Sequence, residues 1–151
     1  MRVQTKPYGM LDVDERQKII FPFGILGFEN LREYVLLDAV QQPFYWLQSL
    51  EVPEIAFVLI NPQVFRPDYT LDVIDSDLEE IDLGKNNGDN TLIFAIVTIP
   101  ENHSKMTANL QGPLIINREK RVGRQSVSTN EKWKVRHFIL DELASLRNET
   151  C

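Results

Sequence analysis

The sequence predicts a mainly β fold, an all-β sandwich or barrel, in one domain. Three observations predict it. Short apolar runs recur between clusters of Gly, Pro, Asn and Asp along most of the chain. Several of them alternate apolar and polar positions with the two-residue period of a half-buried strand. Helix signals are confined to two short segments, one at Ser76 and one after Asp141.

The elements follow in order. Gly9 to Val13 reads as a first strand, Asp14 to Gln17 as a turn, and Lys18 to Phe21 as a strand pairing back on the first. Tyr34 to Leu37 is a short apolar strand. Phe44 to Leu50 alternates, with Phe44, Trp46 and Leu50 against Tyr45, Leu47 and Ser49. Ala56 to Ile60 is apolar on both faces, as a central strand is, and stops at Asn61-Pro62. Leu92 to Ile99 is the strongest strand signal and Pro100 closes it. Leu114 to Ile116 is a further strand. Trp133 to Leu140 alternates, which places Trp133, Val135, His137 and Ile139 on one face.

Ser76-Asp77-Leu78-Glu79 matches a capping box, so a one- or two-turn helix is expected from Ser76, ended by Gly84. Asp141 to Arg147 reads as a terminal helical turn with Asp141 as N-cap and Leu143 and Leu146 on one side. In this reading residues 141–151 are a short helix or a frayed tail. Lys85 to Asn90 reads as a mobile polar hairpin loop.

A chain of 151 residues suits a single domain, 1–151, and folding at this size buries roughly 68–70% of the unfolded surface. Hydrophobic residues are 43% and charged residues 25%, which argues against wholesale disorder. One cysteine, Cys151, allows no internal disulfide. No apolar leader and no membrane-length run is present, so a cytoplasmic protein is expected. The net charge is −6, unevenly spread. Arg118 to Arg136 holds seven basic and two acidic residues, a local +5 that leaves −11 elsewhere. The acidic remainder suits a basic partner, and the basic strip keeps a nucleic-acid reading open.

The most distinctive segment is Met106 to Asn117, where Asn109 and Asn117 bracket an apolar run broken by Gly112-Pro113. Asn favours turns because its amide bonds nearby backbone, so the pair is expected to mark the strand ends. Their amides serve either to satisfy turn backbone or to meet a partner. The segment offers hydroxyl and amide chemistry, with no nucleophile, base or metal ligand.

Catalysis finds little support elsewhere. His103 and His137 are the only groups that titrate near neutrality unperturbed, and neither sits in a catalytic or zinc-type motif. The acidic run from Asp72 to Asp82 fails the calcium-loop pattern, since the sixth position from Asp75 is Glu80 and the twelfth is Asn86. It reads as a solvated helix face. Gly24 and Gly27 lack the third glycine and the lysine of a phosphate loop. They read as a tight loop displaying Phe23, Ile25 and Phe28, either into the core or outward as a protein-binding patch. Tyr45 and Trp46 are strand neighbours facing opposite ways, so one is expected to point outward. No catalytic residue, metal site or cofactor is expected.

Together these pieces resemble the FliW family of flagellar assembly factors. The resemblance is carried by Phe21-Pro22-Phe23-Gly24-Ile25-Leu26-Gly27-Phe28-Glu29 with Tyr34, and by Pro43-Phe44-Tyr45-Trp46-Leu47-Gln48-Ser49. It continues through Pro53 and Phe57, Asn61-Pro62, Val97-Thr98-Ile99-Pro100, Thr107-Ala108-Asn109-Leu110, Pro113 with Ile116-Asn117, and Gly123-Arg124-Gln125. Gly112 departs from the family, where a residue such as Ala is common.

The resemblance implies a β-barrel-like domain of antiparallel strands that is not an enzyme. It implies two protein partners, flagellin and the translational repressor CsrA, exchanged so that flagellin export frees the protein to sequester CsrA. The expected partner surface comprises Ile25, Phe28 and Glu29 of the glycine loop, Tyr45, then Thr107, Asn109 and Asn117, and Leu143 and Leu146 at the C-terminal end. Which patch takes which partner stays open. No membrane and no direct nucleic-acid contact are expected, and the free protein is expected to be a monomer. The alternative reading is a small β-barrel that binds single-stranded nucleic acid through the Arg118–Arg136 strip and Trp133.

Overall fold

The computed structural model describes residues 1–84 and 88–150. The N-terminus forms a hairpin of β1 (Arg2–Thr5) and β2 (Gly9–Asp12). The hairpin corrects two expectations. The strand at Gly9 pairs with β1, and Lys18 does not pair back on it. β1 is hard to read in sequence because Arg2-Val3-Gln4-Thr5 carries one large apolar residue. What closes the hairpin is the Thr5 hydroxyl, which donates to Gly9 O at 2.7 Å and accepts from Tyr8 N–H at 3.0 Å. Val3 and Val13 then pack on Val35 and Leu37 of the main sheet.

The Asp14–Gln17 turn is a capped 3-10 turn, in which Asp14 accepts from Arg16 N–H and Gln17 accepts from Asp14 N–H. The main sheet follows with β3 (Lys18–Ile20), β4 (Glu33–Asp38), β5 (Tyr45–Ser49) and β6 (Ala56–Ile60). After a short helix, α1 (Asp75–Glu79), come β7 (Thr91–Thr98), β8 (Thr107–Asn117), β9 (Val122–Gln125), β10 (His137–Phe138) and α2 (Ile139–Thr150).

Strands β3 to β8 are joined in antiparallel order, and β9 pairs with both β8 and β3, which closes seven strands into a barrel. The closing seam, Ile20 against Val122, is parallel, a departure from the all-antiparallel expectation. β10 flanks β8 outside the ring. Closure leaves the ring itself without an unpaired edge.

Ile19, Phe21, Tyr34, Leu47, Leu59, Phe94, Leu114 and Ile116 form one buried cluster. The opposite faces of β6 to β8 carry a second, in which Ile60, Ala95, Val97 and Ala108 are covered by Phe65, Trp133 and Ile139. β6 therefore lies between β5 and β7 and feeds both clusters, as its unbroken apolar run predicts.

Two further strand segments differ from their sequence readings. Leu114 to Ile116 is the end of an eleven-residue strand, and Asn109 lies within that strand. Opposite Ala95 the pairing jumps from Asn109–Ile96 to Leu114–Phe94, so Leu110 to Pro113 bulge out against a single β7 residue. Their backbone is satisfied by the later chain. Leu110 and Gln111 both donate to Lys134 O, Ser128 donates to Gln111 O, and Ser126 donates to Pro113 O. That service consumes the 126–134 segment. Hence Trp133 to Leu140 is no long strand, and Val135 is exposed while Trp133, His137 and Ile139 are buried.

α1 starts at Asp75, with Ile74 as N-cap and no side-chain cap bond, so the Ser76 capping box is not used. It ends at Glu79, and the turn that follows closes at Asp82, which takes the left-handed conformation at φ 58°, so Gly84 does not end the helix. α2 starts at Ile139, two residues before the expected Asp141 cap. Lys85 to Asn87 of the expected loop, and Cys151, lie outside the described residues. Gly88–Asn90 is a 3-10 turn. No helix among the described residues is long and apolar enough to cross a membrane, which says nothing of β-strands.

Candidate functional site

The Phe21–Glu29 loop is held by backbone geometry. Gly24 and Gly27 sit at φ 67° and 88°, where glycine is favoured. Gly24 also lies so close to the end of the loop that a Cβ would meet the Glu29 Cα at 2.5 Å. Glu29 accepts from Gly27 N–H at 3.1 Å, which pulls its carboxyl below the usual carboxylate range. Ile25 is driven into the barrel cluster and Phe28 is half-buried, its ring edge-on to Phe57 at 5.2 Å. Phe23 and Leu26 are left exposed, at 56% and 80%.

Gln125 of β9 fastens this loop to the β8 bulge. Its Oε1 accepts from Leu26 N–H at 2.9 Å, and its Nε2 donates to Gly112 O at 3.0 Å. Asn109 Oδ1 in turn accepts from Gly112 N–H at 2.9 Å. Two grooves, of about 360 and 560 Å³, share Leu26, Asn109, Gln125 and Val135. Together they make one continuous surface whose apolar floor is edged by amides.

The fold thus brings Glu29, Thr107 and Asn109 to one surface from separate parts of the chain. Phe28 braces the loop from below. The other expected residues go elsewhere. Ile25 is 1% exposed and offers a partner no surface. Asn117 is also 1% exposed, at the far end of β8. Its Oδ1 accepts from Asn90 Nδ2 and Lys120 N–H, and its Nδ2 donates to Ile81 O, which makes it a hub of turns. Tyr45 turns toward the barrel interior and meets Phe94 at 5.1 Å, while Trp46 packs toward the N-terminal hairpin. Both are half-buried, so neither projects freely.

Leu143 packs on the outer cluster, and Leu146 lines a separate cleft of about 570 Å³ with Phe65, Arg66 and Glu142. Sequence reasoning missed Gln125, Val127, Val135 and Phe138 as surface residues; for Val135 the cause is strand alternation, which placed it on the face of Trp133 and His137.

The cleft beside α2 has the densest ionisable cluster. Arg66 pairs with Asp68 and with Glu142 at 2.9 and 2.7 Å, and its guanidinium lies 4.9 Å from the Trp133 ring centre. Hydrogen bonds from Arg66 and Lys132 hold the Asp68 carboxyl well below its ordinary value. His137 Nε2 accepts from Lys134 N–H at 2.9 Å, so its proton is on Nδ1, directed at Glu142 Oε1 at 2.9 Å. Both ring nitrogens are engaged. The set clasps α2 to the barrel and leaves the imidazole no free lone pair for a substrate or metal.

The segregated charge of the sequence is recombined in space. Arg124 pairs with Asp77 and Glu80, Lys120 with Asp82, and Lys132 with Asp68. The acidic run is therefore partly an ion-paired seam rather than a fully solvated face. Trp133 is 1% exposed, so it cannot stack on a base. Both facts count against the nucleic-acid alternative.

Comparison with known proteins agrees with the fold. The model of the FliW protein family matches residues 2–139. A flagellar assembly factor FliW from Treponema denticola is 43% identical over 95% of this chain and 96% of its own length. One from Treponema pallidum is 42% identical over the full length of both chains. A crystal structure of the flagellar assembly factor FliW superposes with a TM-score of 0.83 at 34% identity, covering 92% of this chain and 96% of that one.

Proposed function

The chain belongs to the FliW family of flagellar assembly factors, and we propose that it acts in the cytoplasm as a monomeric, stoichiometric switch that binds flagellin and antagonises CsrA. In this reading flagellin and CsrA exchange on the protein, so that flagellin export sets how much CsrA is free to repress. The family is one of assembly factors rather than enzymes.

One observation carries the reading. The glycine loop and the Thr107–Asn109 stretch, distant in sequence, form a single pre-organised apolar surface edged by amides. Such a surface suits protein binding, since its ordering cost is met on folding. The negative net charge supports the CsrA half of the proposal, because an RNA-binding repressor presents basic surface and charge complementarity speeds encounter. Glu29, Thr107 and Asn109 are proposed as contacts on this surface, and Leu143 and Leu146 as contacts at the α2 end.

The test is to mix the purified chain separately with folded flagellin and folded CsrA and measure binding by calorimetry. A stoichiometric complex with each, and displacement of CsrA by flagellin, is the expected result. No complex with either at micromolar concentration overturns the proposal.

A further inference from the structure

We infer that the groove between the glycine loop and β8 seats a partner segment that carries apolar side chains beside a carboxylate. The inference deepens the partner-binding reading above, and rests on it only for the premise that the chain binds proteins.

Exposed apolar surface is concentrated in this groove. Phe23, Leu26, Val127, Val135 and Phe138 are all more than 40% exposed and all line the joined groove. A continuous exposed apolar area of this kind marks a binding surface. It is also rigid. The Arg124 guanidinium lies over the Phe23 ring at 5.5 Å while it is itself anchored to Asp77 and Glu80. Leu26 is tethered through Gln125.

The charged half comes from Lys105 and Arg136, which line the same groove beside Thr107 and Phe138. Among the described residues neither forms an ion pair; Lys120, Arg124 and Lys132 of the basic strip are matched by carboxylates, and its other unpaired cations, Arg118, Arg121 and Lys134, do not line the groove. Two unmatched cations at the edge of an apolar groove, in a protein of net charge −6, select an anionic group. A carboxylate there gains charge-assisted hydrogen bonds in a partly desolvated setting. A second copy of this chain fits poorly, because a two-fold contact through the groove would bring the same cations of both copies together.

The test is selection of a phage-displayed library of random linear peptides on the intact immobilised chain. Enriched peptides are then synthesised and titrated against wild type, Leu26→Asp, and the double variant Lys105→Glu/Arg136→Glu. Thermal melts confirm that the variants fold, which their surface positions favour. Enriched sequences are expected to join apolar residues to Asp or Glu, and to lose about ten-fold or more in affinity, about 1.4 kcal/mol, on each variant. Four results overturn the inference: no enrichment over a blank surface, enrichment without acidic residues, affinity untouched by either variant, or self-association of the chain that Leu26→Asp abolishes. The outcome separates from that of the switch proposal. If flagellin and CsrA bind the variants as they bind wild type and the peptides fail, the groove assignment falls and the switch stands. If the peptides behave as expected and neither protein binds, the groove assignment stands and the switch falls.

Discussion

Leu26 donates its backbone N–H to the side-chain oxygen of Gln125 at 2.9 Å, across 99 positions of the chain. The same side chain reaches Gly112 O, so a single amide spans the glycine loop and the β8 bulge. The two halves of the candidate surface have their spacing set by this one residue.

Gln125→Ala removes both bonds and is expected to lower stability by about 1–3 kcal/mol, taking roughly 0.5–1.5 per hydrogen bond. Gln125→Glu keeps the acceptor for Leu26 and places a carboxylate oxygen against the Gly112 carbonyl, so it is expected not to restore full stability. Urea unfolding of the three proteins measures this. Equal midpoints for wild type and Gln125→Ala would show that the bridge contributes nothing.

Gly24 and Gly27 make a matched pair. Both have positive φ, but a Cβ on Gly24 meets Glu29 backbone at 2.5 Å whereas one on Gly27 meets nothing within 4 Å. Gly27→Ala is expected to cost about 1–2 kcal/mol from backbone conformation alone. Gly24→Ala carries the same cost plus a clash with main chain, and is expected to be the more damaging by at least about 1 kcal/mol. Chemical denaturation ranks them, and the reverse order would refute the loop geometry described.

The two asparagines are expected to separate on mutation. Asn117 is buried and bonds three different segments, so Asn117→Ala leaves buried partners unsatisfied and is expected to cost about 2–4 kcal/mol, at the upper end for a lost buried network. Asn109 is half-buried with one local bond, so Asn109→Ala is expected to cost about 0.5–1.5 kcal/mol. Thermal melts against flagellin or CsrA titrations give the decisive comparison. Asn109→Ala is the variant expected to weaken binding beyond its effect on stability.

Stability is expected to fall at both ends of the pH scale. Burial pushes the hydroxyls of Tyr34 and Tyr69 up to about 12. An unfolded tyrosine ionises near 10, so between about pH 10 and 12 the unfolded state holds fewer protons and stability falls as pH rises. The Tyr34 hydroxyl is buried without a hydrogen-bond partner among the described residues. Tyr34→Phe is therefore expected to cost nothing at pH 7 and to flatten the alkaline slope. At the acid end, Asp68 has its pKa lowered by Arg66 and Lys132, so its contribution is present above the unfolded value near 4 and is lost as pH falls through the lowered one. Asp68 is half-exposed, which keeps that contribution small. Unfolding free energies from pH 2 to 12 test both slopes.

Much of the barrel was legible as periodicity. β4 to β7 fall where alternation or an unbroken apolar run placed them, because each strand's burial follows from its own side chains. Trp133 to Leu140 misled for the same reason. Its alternation is real, but the carbonyl of Lys134 is committed to the β8 bulge, and a strand needs its backbone free for a neighbour. The glycine loop was legible as a loop. That Ile25 turns inward while Leu26 turns outward was not, since composition is alike on both sides.

The sequence by itself determined a mainly β fold and its family, because those follow from residue types and their spacing. Tertiary structure alone decided that the glycine loop faces Asn109 and not Asn117, that the acidic run pairs with Lys120 and Arg124 of the basic strip, and that Lys105 and Arg136 stand beside the groove. Those outcomes depend on which residues meet across the closed ring. Long-range pairing of that kind is set by barrel closure and strand register, which no local stretch of chain encodes.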